Sequence, residues 1–106
     1  MSAYVIGLIH VHDPEGYPAY SQHVPATLEP YGGQFLVRGG QPEALEGAAP
    51  GRVVVLAFPS AEQARAWYES EGYRRIRPLR QQMAEGQLVL AHGVDAFVRV
   101  TEPIPG

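Results

Sequence analysis

The amino-acid sequence predicts one α+β domain, in which helices cover one face of a four-stranded antiparallel sheet. Three observations support this fold class. The chain has 106 residues, the size of one domain. Its composition, 45% hydrophobic and 18% charged, is that of a globular chain. Strand-like apolar runs and segments of helical spacing follow one another in the order βαββαβ.

The first half of the chain predicts a strand, a helix and a second strand. Tyr4 to His12 is β-branched and aromatic, which favours a strand. Asp13-Pro14 is a typical helix start, with Asp as N-cap and Pro at the first helical position. Pro25 does not fit a straight helix, so we expect a kink there. Gly32-Gly33 predicts a left-handed helix end, and Gln34 to Gly39 the second strand.

The second half of the chain predicts a long loop, a strand and an interrupted helix. Gly40 to Gly51 is rich in Gly and Pro and is expected to form the loop, with a short strand near Leu45. Arg52 to Phe58 is the clearest strand in the chain. A capping box that starts at Ser60 predicts a helix start, and Ser70 is expected to cap a second helical piece.

With a fourth strand at Gln87 to His92, the order of elements predicts a ferredoxin-like domain over residues 1–93. The expected strand order in its antiparallel sheet is fourth, first, third, second, with both helices on the same face. Residues 94–106 are expected to form a tail strand at a dimer interface.

The central strands are apolar on both faces. On the first strand, Val5 and Ile9 point to one side, while Ile6 and Leu8 point to the other. An antiparallel sheet with one wet face should alternate apolar and polar residues, and the helices can cover only one face. We therefore expect a second copy of the chain to cover the other face by two-fold symmetry, which makes the protein a homodimer.

Composition restricts the classes of function. The net charge is −3, which argues against a general nucleic-acid binder, because such proteins need a basic surface. The chain has no cysteine, so thiol catalysis and thiolate metal sites are excluded. No apolar run approaches the roughly 20 residues that cross a bilayer, and the start of the chain does not resemble a signal peptide. We expect a cytoplasmic protein without membrane or nucleic-acid partners.

Four stretches of the sequence resemble a known family. They are Asp13 to Tyr17, Tyr31 to Gly40 with its Gly-Gly-x-Phe-Leu-x-Arg-Gly-Gly block, Phe58 to Ser60, and Trp67 to Tyr73. In this combination the chain resembles "domain of unknown function 1330" (DUF1330), within the dimeric α/β-barrel superfamily, from about residue 4 to residue 93. The resemblance implies a ferredoxin-like protomer and a dimeric barrel, but no established reaction. Related branches include cofactor-independent monooxygenases, isomerases of ring-cleavage pathways and haem-handling enzymes.

His10 and His12 are the candidate catalytic residues. They lie two apart on a predicted strand and are therefore expected to point to one face, away from the helices. Imidazoles in that position suit acid–base chemistry; alternatively, the two are paired surface histidines or hydrogen-bonded core histidines. A His-x-His pair also supplies two metal ligands but needs a third. His92 is expected beside Tyr4, roughly 20 Å away, so we predict no metal site within one chain.

Arg38, Gly39, Arg52 and Tyr17 are the candidate substrate-binding residues. The predicted topology brings both arginines to the sheet end that carries His10, and a guanidinium binds carboxylates or enolates bidentately. Gly39 permits close approach of a ligand. Alternatively, Arg38 pairs with a loop acid, Glu43 or Glu46, and anchors the loop. Helical spacing likewise offers an alternative for Tyr17, as a core contact.

Two functional hypotheses from different classes follow. The first is a cofactor-independent enzyme that acts on a small anionic or aromatic metabolite, with His10 as base and Arg38 as anion clamp. The second is a non-catalytic homodimer that binds a small molecule or has a structural or regulatory role. A cavity that contains His10 and Arg38 together would favour an enzyme or a small-molecule-binding module, whereas a filled, dry space between the sheets would favour a structural or regulatory role.

Overall fold

The computed structural model describes residues 2–94 and confirms an α+β domain. A 3-10 turn at Glu29–Tyr31 precedes the second strand. The helices and strands are β1 (Ala3–Val11), α1 (Pro18–Ser21), α2 (Val24–Leu28), β2 (Gln34–Arg38), β3 (Arg52–Phe58), α3 (Ala61–Tyr68), α4 (Glu71–Met83) and β4 (Ala84–His92).

The sheet has the predicted antiparallel order, β2-β3-β1-β4. On β1, Val5 and Ile9 face the helices and are buried, whereas Leu8 is 41% exposed on the opposite face. The residues opposite Ile9 are Arg52 on β3 and Gly86 on β4. Because directly opposed residues share a face of the sheet, Arg52 faces the helices.

The first helical segment differs from the prediction at its start. Asp13 caps only a turn, since its Oδ1 accepts from the backbone N–H of Gly16 at 3.1 Å. The regular helix begins at Pro18 rather than Pro14. The expected break at Pro25 is confirmed, because Pro25 lies in the first turn of α2, where its missing N–H leaves no bond unmade. Gly32 ends the segment at φ 70°.

Other predicted boundaries also change. The loop between β2 and β3 forms no strand at Leu45, whose side chain is 95% exposed. Strand β1 ends at Val11, one residue before His12. Strand β4 begins at Ala84, three residues before the predicted start at Gln87, because backbone pairing with β1 extends to Ala84 opposite Val11. The predicted tail strand lies outside the described residues, apart from Val94.

The core lies between the helices and one face of the sheet. Its largest fully buried side chains are Trp67 and Tyr73. Within residues 2–94 the other face carries no helix and stays apolar, with Leu8, Val37 and Val89 each between 41% and 47% exposed. The described part of the chain thus has the two apolar sheet faces that the sequence predicts, and one of them is uncovered.

The break between α3 and α4 yields a first prediction. Ser70 Oγ accepts from the backbone N–H of Tyr73 at 3.2 Å and donates to the carbonyl of Trp67 at 2.7 Å. Ser70→Ala removes both bonds and should lower the free energy of unfolding by about 0.5–2 kcal/mol. Urea denaturation measures this, with Ser2→Ala as the control on an exposed serine. Equal midpoints for the two variants would contradict the capping role.

Candidate functional site

A small cavity lies between α1, α2 and the helix-facing side of the sheet. Its volume is about 40 Å³, room for only a few water molecules. The sheet side carries two arginines, Arg52 opposite Ile9 and Arg38 opposite Val54. The lining residues are Ile9, Tyr17, Tyr20, Ser21, Val24, Phe35, Arg38, Arg52, Val54, Leu56, Trp67 and Leu88.

Arg52 is fixed by Gly39 and Tyr17. The Arg52 guanidinium lies over the ring of Tyr17, with Cζ 5.1 Å from the ring centroid. It also lies so close to Gly39 that a Cβ there would overlap it. Arg52 Nε is buried and has no hydrogen-bond acceptor among residues 2–94. A buried donor without an acceptor is costly, so this atom indicates a place for an acceptor from outside the described chain.

Arg38 lies at the exposed side of the same cavity. Its Cζ is 4.6 Å from the centroid of the Phe35 ring. The alternative that Arg38 pairs with Glu43 or Glu46 is not seen, because the ion pairs of the described residues involve only Arg75 and Arg77. Arg38 is therefore a cation on an aromatic surface, available to an anion at the cavity mouth.

Three tyrosines carry hydroxyl groups into the helical layer beside the cavity. Tyr20 and Tyr73 share a hydrogen bond of 2.9 Å between their hydroxyl oxygens. Burial, followed by the proximity of Tyr73, raises the pKa of Tyr20 well above its ordinary value. Burial also raises the pKa of Tyr17, although Arg52 and Arg80 act in the opposite direction. The hydroxyls of Tyr17 and Tyr20 are thus neutral at physiological pH and do not act as bases.

Arg80 is a buried residue that the sequence analysis did not single out. It is 9% exposed, and its Nε donates to the Tyr73 hydroxyl at 3.3 Å. Among the described residues it forms no ion pair. Helical spacing was the available signal, since Tyr73, Ile76 and Arg80 follow at three and four residues on one face of α4. Arg52 and Arg80 together make the surroundings of Tyr17 positive.

The two histidines lie away from this cavity. His10 is exposed on the uncovered face of the sheet, opposite Glu85. His12 is exposed beyond the end of β1, and its backbone N–H donates to the carbonyl of Met83. His10 and Arg52 share one end of the sheet but occupy opposite faces, so the expected meeting of His10 and Arg38 in one cavity does not occur within the protomer.

The geometry also locates the remaining residues considered for metal binding. His92 pairs with Ala3, seven residues before His10 along β1, or roughly 23 Å at ~3.3 Å per residue. Within residues 2–94, no three His, Asp or Glu side chains form a group that would hold a metal ion. In the same range, none of the helices is long and apolar enough to cross a membrane.

A larger apolar groove lies farther along the same sheet face. Its volume is about 290 Å³, close to the lower limit for small-molecule pockets. It lies between α3 and the β1–β4 pair. Its walls are Val5, Ala64, Arg65, Tyr68, Glu69, Leu88, Val89 and Leu90. The groove and the arginine-lined cavity share Leu88.

The fold and the site define a ferredoxin-like α+β domain with a cationic cavity between sheet and helices. The family model described as "Domain of unknown function (DUF1330)" matches residues 2–94. The chain therefore belongs to this family, which confirms the resemblance found in its motifs. No curated protein matches the chain.

Solved structures share the fold at low sequence identity. RPA0582 of Rhodopseudomonas palustris, a protein of unknown function, is 21% identical with a TM-score of 0.70, over 89% of this chain and 83% of that one. SnoaB of Streptomyces nogalater, a cofactor-independent oxygenase, is 12% identical with a TM-score of 0.65, over 92% and 98%. A putative antibiotic biosynthesis monooxygenase of Nitrosomonas europaea is 17% identical with a TM-score of 0.52, over 89% and 92%. These similarities confirm the ferredoxin-like fold.

The contact between Gly39 and Arg52 yields a second prediction. Gly39→Ala should lower the free energy of unfolding, because alanine at φ +71° costs about 1–2 kcal/mol and its Cβ also displaces Arg52. Gly47→Ala is the matched control, since Gly47 has the same φ of +71° but open space around its Cα. Urea denaturation should show the larger loss for Gly39→Ala. Equal losses would mean that Arg52 moves at no cost.

The raised tyrosine pKa values yield a third prediction. In the unfolded chain these phenols ionise near pH 10, whereas in the folded chain they stay neutral to higher pH. The unfolded state then binds fewer protons, so the free energy of unfolding should fall as pH rises above about 10. The chain has no lysine to titrate in this range.

Urea midpoints at about pH 8 and about pH 11 measure this loss. Tyr20→Phe should reduce the difference between the two midpoints. Tyr31→Phe, which removes the phenol hydroxyl of a half-buried tyrosine outside the cluster, is the control variant. A difference that is the same in all three proteins would show that Tyr20 does not contribute to it.

Proposed function

We propose that this protein is a cytoplasmic homodimer that binds a small molecule with an acidic group, a carboxylate or an ionised enol or phenol. Arg52 and Arg38 hold that group in the cavity between helices and sheet, and Tyr17 borders the same site. The observation that carries the proposal is Arg52, whose buried Nε lacks an acceptor among the described residues. Because Gly39 has no Cβ, the Arg52 guanidinium can lie against its backbone in the cavity.

The charges around the cavity support an anionic ligand. Arg52 lies over Tyr17, Arg38 lies over Phe35, and Arg80 is close enough to affect Tyr17 electrostatically. None of the three arginines has an ion pair within residues 2–94. Arg52 and Arg80 are partly or fully buried, and buried cations without a carboxylate cost desolvation free energy. A bound anion recovers that cost and forms charge-assisted hydrogen bonds. Neutral tyrosine hydroxyls add donors without adding negative charge.

The same arrangement supports a catalytic form of the proposal. An enolate or phenolate held by Arg52 is stabilised relative to its protonated form, and stabilised anions of this kind are intermediates in many reactions. The shared fold with SnoaB, a cofactor-independent oxygenase, favours this second candidate. His10 and His12 act as acid–base residues only on a ligand between the two sheets of the dimer, a second site that Arg52 does not face. Oxygen consumption in the presence of a bound enolic ligand tests it.

The binding proposal predicts a preference for anions at Arg52. Acetate should shift the amide NMR signals of Gly39 and Arg52, whereas acetamide, its neutral analogue, should not. Arg52→Gln should weaken acetate binding about 10- to 100-fold, the value of one or two hydrogen bonds to a charged group. Arg74→Gln, on the exposed face of α4, is the control and should leave binding unchanged. Equal shifts with acetamide, or no effect of Arg52→Gln, would refute the site.

The homodimer is predicted from the uncovered sheet face. Light scattering at micromolar concentration should return twice the mass of 11.6 kDa, because the apolar face that carries Leu8, Val37 and Val89 is too large for a typical monomer. Val55→Glu, at the centre of that face, should dissociate the dimer, whereas Ala66→Glu on the exposed side of α3 should not. A stable monomeric mass for the unaltered chain would contradict the assembly and the barrel.

A further inference from the structure

The arginine-lined cavity and the apolar groove follow one another along β1. Cross-strand pairing sets their order on the helix-facing side: Arg52 opposite Ile9, Leu88 opposite Gly7, and Leu90 opposite Val5. Leu88 lines both spaces. From Ile9 to Val5 the distance is roughly 13 Å at ~3.3 Å per residue. The side chain of Leu88 thus separates the arginine-lined cavity from the apolar groove.

Gly7 shapes the junction between the two spaces. A glycine in the middle of a strand weakens it, so its position calls for a physical reason. A Cβ at Gly7 would lie 3.0 Å from Ile9 Cδ1 and 3.2 Å from Leu88 Cδ1. The ends of Ile9 and Leu88 therefore occupy the place of the missing side chain. Leu88 is only half-buried, so its terminal methyl groups are the movable part of the barrier.

We propose that one elongated acid occupies both spaces, with its acidic group at Arg52 and its apolar body in the groove, past a rotated Leu88. The inference rests on the proposed binding of an anion at Arg52. At about 40 Å³ the cavity admits little beyond the acidic group, whereas the groove of about 290 Å³ suits an apolar body. The ligand class is a medium-chain monocarboxylic acid or a similarly long, flat acid.

Charge complementarity supports this occupant. The two charged residues of the groove, Arg65 and Glu69, have opposite signs and leave the groove without net charge. Its other walls are apolar or aromatic, so the groove contributes hydrophobic contact. The positive charge lies only at the far end, at Arg52. A neutral apolar molecule could bind only in the groove, and a short anion only in the cavity. An amphipathic acid could occupy both spaces at once.

The single tryptophan reports on the junction. Trp67 lines the cavity, and its neighbours along α3, Ala64 and Tyr68, line the groove. Fluorescence titrations of the full chain with acetate, decanoate and decanol therefore measure all the binding modes. Decanoate should bind at least about 100-fold more tightly than acetate, because each buried methylene adds hydrophobic free energy. Decanol, which lacks the charge, should bind about 10-fold or more weakly than decanoate.

Substitutions at the junction test the continuity of the two spaces. Gly7→Ala adds a Cβ against Leu88 Cδ1 and narrows the junction, so it should weaken decanoate binding about 10-fold and acetate binding less. Gly72→Ala is the matched control, since its Cβ meets Thr27 at an ordinary contact distance of 3.6 Å and neither residue lines the cavity or the groove. Leu88→Phe, a second way to block the junction, covers the case in which Gly7→Ala fails to fold.

The outcomes separate this inference from the proposed function. If acetate binds and depends on Arg52 while decanoate binds no tighter, the anion site stands and the continuous site is refuted. If decanol equals decanoate, the groove binds apolar molecules independently, which also refutes it. NMR contacts of Leu90 in the ligand-free full chain, to residues beyond 94 or to a second copy, would assign the groove to the protein itself and overturn the inference. If acetate does not bind, the proposed function is refuted, and the inference that rests on it is refuted with it.

Discussion

The stacking of Trp67 on Tyr73 is the contact on which the rest of the structure depends. Their ring centroids are 4.1 Å apart, and both side chains are fully buried. Each then reaches one piece of the first helical segment: Trp67 Nε1 donates to Thr27 Oγ1 of α2, and the Tyr73 hydroxyl meets that of Tyr20 in α1. The short helices α1 and α2 are too short to be stable alone, so this pair holds the wall of the cavity in place.

Much of this fold could be predicted from the sequence because its strands and capping residues carry strong local signals. The Arg52 to Phe58 strand and the Ser60 and Ser70 caps agree with the structure, since these patterns depend on neighbouring residues alone. The site was harder, because pairing decides which face a residue occupies. Strict alternation from Phe35 would put Val37 towards the helices and Arg38 on the uncovered face. A β-bulge between Phe35 and Val37 shifts the register, so that Val37 lies on the uncovered face and Arg38 lies on the helix-facing side.

Arg80 shows a different limit of sequence reasoning. Among four arginines of α4 it is the buried one, and the general rule that a charge run is a solvated face fails for it. What retains a charged residue there is the hydroxyl of Tyr73, together with the long apolar stem of the arginine, which packs well while its head remains polar. Arg52 and Arg80 beside Tyr17 lower the free energy of unfolding relative to hydrophobic residues in the same places. Such a loss of stability is typical of sites selected for function.

The protonation states of the cavity decide what chemistry it can support. Tyr17 and Tyr20 have raised pKa values, and a neutral phenol donates a hydrogen bond but does not remove a proton. Arginine is always charged and is equally unable to act as a base. Within residues 2–94 the cavity lining therefore stabilises an anion but supplies no proton acceptor. An enzyme built on it must act on a substrate acidic enough to ionise beside Arg52, because His10 lies on the opposite face of the sheet.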